Sequence, residues 1–344
     1  MTSARMPKLL SQKIVSLQVL KTRKVVNNIE QQFQEILQDK RPENLYNPIS
    51  YILMQSGKRL RPQLVYIAAE MFNGDPEQVK HIAAAFEMLH NFTLIHDDIM
   101  DKADVRRGQP TVYKKWNGNI AILAGDALAV IAMQQLLKLQ CDPKTILDLI
   151  DIFGQTALEV CEGQQYDLDF ETMDEVSLDE YLNMIRLKTS VMFAGCLKAG
   201  GRFTGADEES LQALYDLGIH LGIAFQIADD LLDVYAEEEV FGKAVGGDIK
   251  DNKKTFLLLK ALELADESQK QELHRLFTTP ATDEKAKFLA VKSIFDAVHA
   301  KEATEKEIAR YTEKCIDDIN RIHTEEEKKA FVLSLVHRLQ SRDK

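Results

Sequence analysis

The chain has 344 residues, of which 45% are hydrophobic and 28% charged, the composition of a globular protein long enough to bury a large core. Only 16 glycines and 8 prolines interrupt it, which disfavours sandwiches, barrels and long linkers and favours long helices. The formal net charge of −11 argues against a nucleic acid as the main partner, because phosphate backbones need a basic field. A small anionic substrate stays compatible, since a local cluster of cations can outweigh the global sign.

Cysteine spacing and hydropathy indicate the cellular compartment in which the protein is expected. The four cysteines are widely separated and form no CxxC pair, so we expect neither a zinc site nor a disulfide framework, but buried free thiols in a reducing compartment. The N-terminal residues lack the apolar run of a signal peptide, and no stretch approaches the length of a membrane span. The sequence therefore predicts a cytoplasmic protein without an integral membrane segment.

Helical periodicity dominates the chain from end to end. Residues 1–40 predict a polar, amphipathic helical lead-in, and helical-period segments follow between breakers. No period-2 alternation bounded by hairpin turns is found. We predict an all-α protein with a single domain over 1–344 and a motif-bearing core at about 45–300, although a split near residue 205 is possible. The breakers lie at 42–48, 73–76, 142–143, 200–201, 246–247 and 278–280.

Two of the most apolar predicted helices contain clusters of carboxylates, which are costly to bury unless paired or bound to metal. The clusters read DDIMD at 97–101 and DDLLD at 229–233. In each, the first and last aspartates are i and i+4, so they share one face of a helix. Such a pair suits Mg²⁺, which completes its shell with water and phosphate oxygens. A single copy could be a solvated helix face, but two copies favour metal sites.

Basic residues stand in short motifs around these clusters. They are GKRLRP at 57–62, RRG at 106–108, Lys188-Thr189, and the residues Lys243, Asp248 and Lys253 that flank Gly246-Gly247. Arginine binds phosphate oxygens through two parallel hydrogen bonds, whereas lysine acts as a point charge. Each motif alone is most often solvated surface. Together with two acidic clusters, they predict a cavity for polyanions with one metal-rich and one Arg/Lys-rich site.

The motifs together resemble those of one enzyme family. GKRLRP, LIHDDIMD, RRGQPT, LAGDAL, GQQYDLD, LKTS, FQIADDLLD and GKAVGGDIKDNKKT occur in the order typical of trans-isoprenyl diphosphate synthases (the polyprenyl synthetases), over residues 57–255. The resemblance implies an isoprenoid synthase fold, in which long helices surround a central cavity, and a homodimer. It also implies Mg²⁺-dependent condensation of isopentenyl diphosphate with an allylic diphosphate.

The resemblance also implies roles for individual residues at the metal-rich site. Three Mg²⁺ ions would bind the allylic diphosphate between the two aspartate motifs. Direct ligands would be Asp97, Asp101 and Asp229, with the remaining acids holding metal-bound water or supporting the ligands. These supporting metal-site residues are Asp98, Asp230, Asp233 and Asp248. The same diphosphate would contact Arg106, Lys188 and Lys243, with Lys253 nearby.

A second group of residues is implied for isopentenyl diphosphate and for the reaction centre. Isopentenyl diphosphate would bind at Gly57, Lys58, Arg61, His90 and Arg107. His90 could instead be a satisfied core histidine, but its place in the motif favours the ligand interpretation. The reaction centre would be lined by Gln164, Asp167, Thr189 and Gln226. The catalytic set would be Arg106, Lys188, Thr189, Gln226 and Asp229.

The chemistry follows from this arrangement. Metals and cationic side chains neutralise the diphosphate leaving group, so that the C–O bond ionises to an allylic carbocation. The double bond of isopentenyl diphosphate then attacks the cation in a water-poor cavity, and a proton is lost. No side chain is an obvious base, and the family assigns that role to the departing diphosphate. Dipoles of Gln226 and Thr189 can steady the carbocation.

Product length is predicted from residues that precede Asp97 on its helix. Thr93 lies one turn and Leu89 two turns before it, and one turn rises 5.4 Å, comparable with an isoprene unit. Short-chain enzymes of the family often have two aromatic residues four and five positions before the first aspartate, where this chain has Thr93 and Phe92. One bulky residue with a small neighbour resembles geranylgeranyl (C20) synthases. Farnesyl (C15) is the alternative, and a C25 or longer product is less favoured.

Three other functions are weighed against this one. A class I terpene cyclase would carry an Asn/Asp–Ser/Thr–Glu motif in place of the second DDxxD and would not need the site at Lys58 and Arg61. A non-catalytic regulatory subunit of a prenyl synthase tends to lose an aspartate motif, and this chain has both. An acidic helical scaffold leaves the clustered cations unexplained.

Overall fold

The computed structural model describes residues 28–236, 246–279 and 283–341, and nearly all of this part of the chain is helical. The predicted all-α class is therefore confirmed. The helices are α1 (28–37), α2 (Glu43–Leu53), α3 (Leu60–Met71), α4 (Pro76–Met100), α5 (Val112–Lys115), α6 (Gly118–Leu136), α7 (Pro143–Thr172), α8 (Leu178–Ile185), α9 (Val191–Phe203), α10 (Glu208–Tyr235), α11 (Gly247–Lys250), α12 (Phe256–Leu264), α13 (Glu267–Thr278), α14 (Glu284–Ala297), α15 (Ala300–Arg321) and α16 (Glu326–Ser341).

Two departures from regular α-helix occur at candidate site residues, and the sequence predicted neither. Strands β1 (Val105–Arg106) and β2 (Gln109–Pro110) form an antiparallel hairpin after α4. Its turn residues Arg107 and Gly108 have φ of 54° and 73°, the left-handed values that a two-residue hairpin turn requires. A π-helical turn, Arg186–Ser190, separates α8 from α9, and such turns are frequent at functional sites.

Local capping signals explain where the helices that carry the site begin. The Asp75 side chain accepts a hydrogen bond from the Glu77 N–H at 3.0 Å, and Pro76 occupies the first position of α4. From there α4 continues for 25 residues, so the first acidic cluster lies at its C-terminal end. A capping box between Ser177 and Glu180 starts α8 in the same way.

The chain divides into two compact units, each assembled from more than one stretch of sequence. The first comprises the described residues up to Ala157, with Gly195–Leu214 and His323–Phe331. The second comprises Leu158–Ala194, Tyr215–Ile322 and the described residues from Val332. Four of the five divisions fall within helices and the fifth falls between α15 and α16, so there is no single boundary near residue 205. Organisation as a single domain stays a prediction.

The core of the first unit surrounds α4, which packs against α3 and α6. Phe86 of α4 and Phe153 of α7 meet edge to face, with ring centroids 5.6 Å apart. Burial of such side chains stabilises the fold by about 1.5–3 kcal/mol each. The helix that carries the first acidic cluster is therefore anchored along its length by apolar packing.

Helix α6 is the described helix whose length and composition would allow it to cross a membrane, and 39% of its apolar window is buried. One face packs on α4, where the absence of a side chain at Gly125 makes room for His96. A Cβ at Gly125 would lie 2.3 Å from the His96 Nε2. The carboxylate of Asp126, in mid-helix, is 61% exposed. These features describe a core helix of the first unit with one exposed apolar face.

The second unit has two apolar clusters that share α12. One contains Phe256 and Leu259 of α12 together with Tyr181 of α8, and the other contains Leu257 of α12 with Phe295 of α14. Because α12 contributes to both clusters, its first residues are fixed among side chains of the second unit. This fixed N-terminus contacts the second acidic cluster.

Two further expectations can be compared with the structure. All four cysteines are free thiols; Cys196 and Cys315 are buried, Cys141 is half-buried and Cys161 is exposed. The expectation of buried free thiols is therefore met at Cys196 and Cys315 and is wrong for Cys161. Of the predicted lead-in, residues 28–37 are helical, whereas 1–27 lie outside the described residues.

Candidate active site

The first acidic cluster occupies the last turn of α4, with helical spacing as predicted. The N–H of Asp101 donates to the Asp97 carbonyl at 2.8 Å, so the helical path continues to the last aspartate. The side chain of Asp98 is fully buried, whereas Asp97 is half-buried and Asp101 exposed. The outer two carboxylates are therefore the accessible pair, one turn apart.

Asp98 faces the hairpin that follows. Arg106 Nε donates to Asp98 Oδ1 at 2.7 Å. Burial raises the pKa of Asp98, and the Arg106 guanidinium opposes this. The second oxygen, Asp98 Oδ2, is buried and has no hydrogen-bond partner among the described residues. This contact differs from the role of a direct metal ligand, because one Asp98 oxygen is already paired with an arginine.

The structure brings several of the predicted isopentenyl diphosphate residues together in the first unit. A Cβ at Gly57 would lie 3.2 Å from Arg107 Nη1, so this guanidinium lies against the backbone of the GKRLRP loop. Burial lowers the pKa of Arg61, and Glu87 opposes that change. Lys58, in the same loop, is exposed. A side chain at position 57 would therefore press on the end of the Arg107 side chain.

His90 lies within this set of cations. Its pKa is held well below the ordinary histidine value by burial first, and then by the charges of Arg61, Arg107, Arg106 and Arg59. A histidine in this field is neutral at pH 7. It can donate one hydrogen bond from its ring, while the surrounding arginines supply positive charge.

A buried ion pair in the same region was missed by sequence analysis. Arg59 Nη1 lies 2.9 Å from Glu87 Oε1, and the two side chains are 0% and 2% exposed. Nothing in the local pattern distinguishes Arg59 from the neighbouring Lys58 and Arg61. Arg59 differs from its neighbours only in a tertiary contact, because its partner Glu87 lies on α4.

The residues predicted to measure chain length lie on α4 in the expected order. Leu89 is buried, and Phe92 and Thr93 are half-buried. The Phe92 ring meets the His96 ring edge to face, with centroids 4.8 Å apart. Thr93 Oγ1 donates to the His90 carbonyl at 2.8 Å, so its hydroxyl is satisfied within the helix.

The second acidic cluster lies on α10, and its middle aspartate is buried. Asp230 Oδ2 accepts hydrogen bonds from the Tyr181 hydroxyl and, at 2.9 Å, from the Phe256 N–H. Asp230 Oδ1 accepts one from Gln226 Nε2 at 3.1 Å. Burial raises the Asp230 pKa to about 6, and these hydrogen bonds oppose the rise. Asp230, like Asp98, is already engaged by protein groups.

A chain of hydrogen bonds continues from Asp230 to the predicted reaction-centre residues. Because Gln226 donates to Asp230 through Nε2, its carbonyl oxygen is turned the other way, where it accepts from Thr189 Oγ1 at 3.2 Å. The predicted pair Thr189 and Gln226 is thus in direct contact. Tyr181, which fixes the far end of this chain, was not among the predicted residues.

The last aspartate of the second cluster contacts the first turn of α11. Asp233 Oδ2 accepts a hydrogen bond from the Asp248 N–H at 3.0 Å. The pKa of Asp248 is raised to about 7 by burial and then by the negative charges of Asp230 and Asp233, while Lys253 lowers it. Carboxylates crowd here, and the predicted residue Lys253 is among the compensating charges. The predicted residue Lys243 lies outside the described residues.

Lys188 occupies the π-helical turn with its ammonium near an acid of α7. Lys188 Nζ lies 2.5 Å from Asp167 Oδ2. Close approach of α7 requires a glycine, since a Cβ at Gly163 would be 2.2 Å from the Lys188 backbone nitrogen. The neighbouring Gln164 Oε1 is buried without a hydrogen-bond partner in the described chain. Lys188 and Asp167 are therefore in contact, and Gln164 follows the glycine against which the π-helical turn packs.

These donors fit a hard divalent cation. Among the residues that the structure describes, no group of three or more His, Cys, Asp and Glu side chains is placed to hold a metal ion. Each acidic cluster offers oxygen donors one turn apart, fewer than a complete shell. That donor set suits Mg²⁺, which keeps several waters and takes the remaining oxygens from phosphate.

Comparison with known proteins supports one family. A model of the polyprenyl synthetase family matches residues 42–294. The geranylgeranyl diphosphate synthase of Methanosarcina mazei is 44% identical over 237 residues, which cover 69% of this chain and 73% of that protein.

Solved structures agree in fold. A crystal structure of a geranylgeranyl pyrophosphate synthase matches with a TM-score of 0.89 and 41% identity, covering 94% of this chain and 99% of that one. The geranylgeranyl pyrophosphate synthetase from Pyrococcus horikoshii Ot3 matches with a TM-score of 0.90 and 32% identity, covering 96% and 100%. The isoprenoid synthase fold is thereby confirmed. Since the family match spans most of the chain, this protein belongs to the polyprenyl synthetase family and is a prenyltransferase of the trans-isoprenyl diphosphate synthase type.

Proposed function

We propose that this protein condenses isopentenyl diphosphate with an allylic diphosphate, in the presence of Mg²⁺, to form geranylgeranyl diphosphate. The observation that carries the proposal is the set of cations around Gly57 and His90, close in sequence to the first acidic cluster but distinct from it. An enzyme that joins two diphosphates needs such a metal-free anion site in addition to an acidic one. The cytoplasmic location stays a prediction.

Isopentenyl diphosphate is proposed to bind at the GKRLRP loop and the hairpin. The guanidinium groups of Arg61 and Arg107 can each donate two parallel hydrogen bonds to phosphate oxygens. The exposed ammonium group of Lys58 adds a positive charge. Neutral His90 donates one hydrogen bond without adding repulsion among the arginines. Gly57 contributes by leaving room for the Arg107 guanidinium.

The allylic diphosphate is proposed to bind through Mg²⁺ held by Asp97, Asp101 and Asp229. Bound Mg²⁺ would neutralise the leaving diphosphate and so favour ionisation. Asp98 and Asp230 are proposed to support the helix ends rather than to ligate, because their oxygens already accept from Arg106 and Tyr181. Asp233 and Asp248, which are joined by a hydrogen bond at the start of α11, are proposed to bind metal-bound water. Three ions per site are expected by family resemblance.

Lys188 and Arg106 are proposed to contact the same diphosphate, with Lys253 and Lys243 completing the charge. Both Lys188 and Arg106 pair with carboxylates in this structure, so each is held by a partner before substrate arrives. Thr189 and Gln226 carry dipoles but no strong nucleophile, and we propose that they stabilise the allylic carbocation. Their mutual hydrogen bond fixes the direction of the Gln226 amide.

Removal of the Tyr181 hydroxyl, which shares Asp230 with Gln226, tests whether the orientation of Gln226 matters for turnover. Tyr181→Phe removes one donor to Asp230 and leaves the ring in its apolar cluster. We expect kcat to fall roughly tenfold, in the range that supporting contacts contribute, while KM for both substrates changes little. Steady-state kinetics with each substrate varied in turn measures this.

A matched control is Tyr235→Phe, which also removes a hydrogen bond from a tyrosine to an aspartate, Asp296, at 2.7 Å. Its kcat should match that of the unsubstituted protein. Unchanged kcat in Tyr181→Phe would contradict the orienting role of this hydroxyl. So would a parallel loss in the Tyr235→Phe variant.

Chain length is tested by product analysis. The protein is incubated with Mg²⁺, labelled isopentenyl diphosphate and, separately, C5, C10 or C15 allylic diphosphates, and the dephosphorylated alcohols are resolved. We expect a dominant C20 alcohol, because the tail is proposed to end at Phe92 on α4. A failure to condense with any primer would contradict the proposed reaction and favour a regulatory subunit.

The Phe92→Ala substitution tests whether Phe92 limits the length of the product without taking part in the condensation itself. Loss of the ring should lengthen the product beyond C20, whereas Phe277→Ala, at an equally half-buried position on α13, should leave it at C20. A C15 product from the unsubstituted protein, or an unchanged product in Phe92→Ala, would leave the proposed reaction intact. It would show that a residue other than Phe92 limits product length.

We also propose a homodimer, with a second copy covering the exposed face of α6. Leu123 and Val130 are 60% and 59% exposed and lie two turns apart on this helix, with Leu137 another two turns on at 61%. Exposed apolar side chains that recur every two turns along a helix are typical of an interface. The family resemblance implies that the partner is an identical chain.

Sedimentation velocity at micromolar concentration should show a dimer of the 39.1 kDa chain. Leu123→Lys combined with Val130→Lys should yield monomers, because two buried charges would face the apolar partner. Leu289→Lys, at a 55% exposed leucine on α14, serves as the control and should remain dimeric. An unsubstituted protein that sediments as a monomer would contradict the proposal.

A further inference from the structure

Arg59 stands between two residues of the proposed anion site but is directed away from solvent. Its side chain is 0% exposed, whereas Lys58 before it is exposed. Its φ of 47° lies in the left-handed region, which is unfavourable for an arginine and is kept only where surrounding contacts hold it. This residue is also the N-cap of α3.

The Arg59 guanidinium holds the end of α2 next to the start of α3. Arg59 Nη2 donates to the carbonyl oxygens of Leu53 at 2.5 Å and Gln55 at 2.9 Å. These carbonyls lie at and just beyond the C-terminus of α2, where backbone acceptors lack helical partners. Gln63 of α3 donates to the Lys58 carbonyl at 2.5 Å. Both sides of the loop are thus fixed.

The third contact of Arg59 reaches α4. Nη1 pairs with Glu87 Oε1 at 2.9 Å, and the Glu87 side chain is 2% exposed. Asn91 Nδ2 in turn donates to the Glu87 carbonyl at 2.7 Å. Glu87 lies one turn before His90 on the same helix. Arg59 therefore joins the GKRLRP loop to the turn of α4 that carries the histidine.

We propose that Arg59 is a positioning residue for isopentenyl diphosphate. It touches no substrate. Through Glu87 and the end of α2, it sets the distance from His90 on α4 to Lys58 on the loop and to Arg61 in the first turn of α3. The inference deepens the proposed function and rests on it for the identity of the ligand. Removal of one partner from a buried ion pair leaves an uncompensated charge, so the loop must move to rehydrate it.

Two substitutions test this role. Arg59→Lys keeps the charge but removes the fork, and Glu87→Gln keeps the shape but removes the charge. Equilibrium dialysis of labelled isopentenyl diphosphate, without an allylic diphosphate, measures binding independently of turnover. We expect its affinity to fall roughly tenfold in both variants, as displaced binding groups cost at least that much. KM for the allylic diphosphate should change less than twofold.

Arg202→Lys is the matched control. Arg202 also belongs to the first unit and pairs with Glu208 at 2.7 Å and with Asp148 at 3.5 Å. Its variant should bind isopentenyl diphosphate like the unsubstituted protein. Thermal unfolding of all variants shows which remain folded, and Glu87→Gln carries the test if Arg59→Lys does not fold.

Several outcomes are decisive. Unchanged affinity for isopentenyl diphosphate in a folded Glu87→Gln variant would overturn the positioning role, and so would an equal loss of affinity for both substrates. A selective loss supports it. If the unsubstituted protein binds isopentenyl diphosphate but condenses it with no primer, the proposed reaction fails while the binding comparison still decides the role of Arg59.

Discussion

Repulsion between carboxylates held on apolar helices is the constraint on which this site depends. In each unit the middle aspartate of the cluster is buried and held by protein groups. In the first unit Arg106 neutralises buried Asp98, and in the second Tyr181 and the α12 backbone hydrogen-bond buried Asp230. Burial, together with the neighbouring carboxylates Asp230 and Asp233, raises the pKa of Asp248 to about 7.

The arginines of the first unit are subject to repulsion between like positive charges. Arginines gather around His90, and they remain compatible because Glu87 offsets Arg59 and His90 stays neutral. Two of these arginines, Arg59 and Arg107, have left-handed backbones in tight loops. Strain of this kind persists only where surrounding contacts determine it, as often occurs at binding sites. The result is a cluster of positively charged side chains, which suits an anion.

Local sequence was sufficient for much of this account. The i, i+4 spacing of Asp97 and Asp101 correctly places both on one turn of α4, because helical periodicity is a property of the segment itself. Family resemblance, and not spacing, implied that Thr189 and Gln226 both line the reaction centre, and their hydrogen bond is seen only in the structure. What sequence could not show is which members of a charged motif turn inward. Arg59 and Asp230 look like their neighbours, and only partners on distant segments, Glu87 and Tyr181, distinguish them. The π-helical turn and the hairpin likewise depend on packing rather than on propensity.

The central claim is that the acidic clusters are incomplete metal sites that a diphosphate completes. Calorimetric titration of Mg²⁺ into the protein, with and without inorganic diphosphate, tests it most directly. The account predicts weak Mg²⁺ binding to the protein alone and roughly tenfold or greater strengthening with diphosphate, with the reciprocal effect of Mg²⁺ on diphosphate affinity. Tight Mg²⁺ binding without diphosphate, unchanged when diphosphate is added, would contradict it.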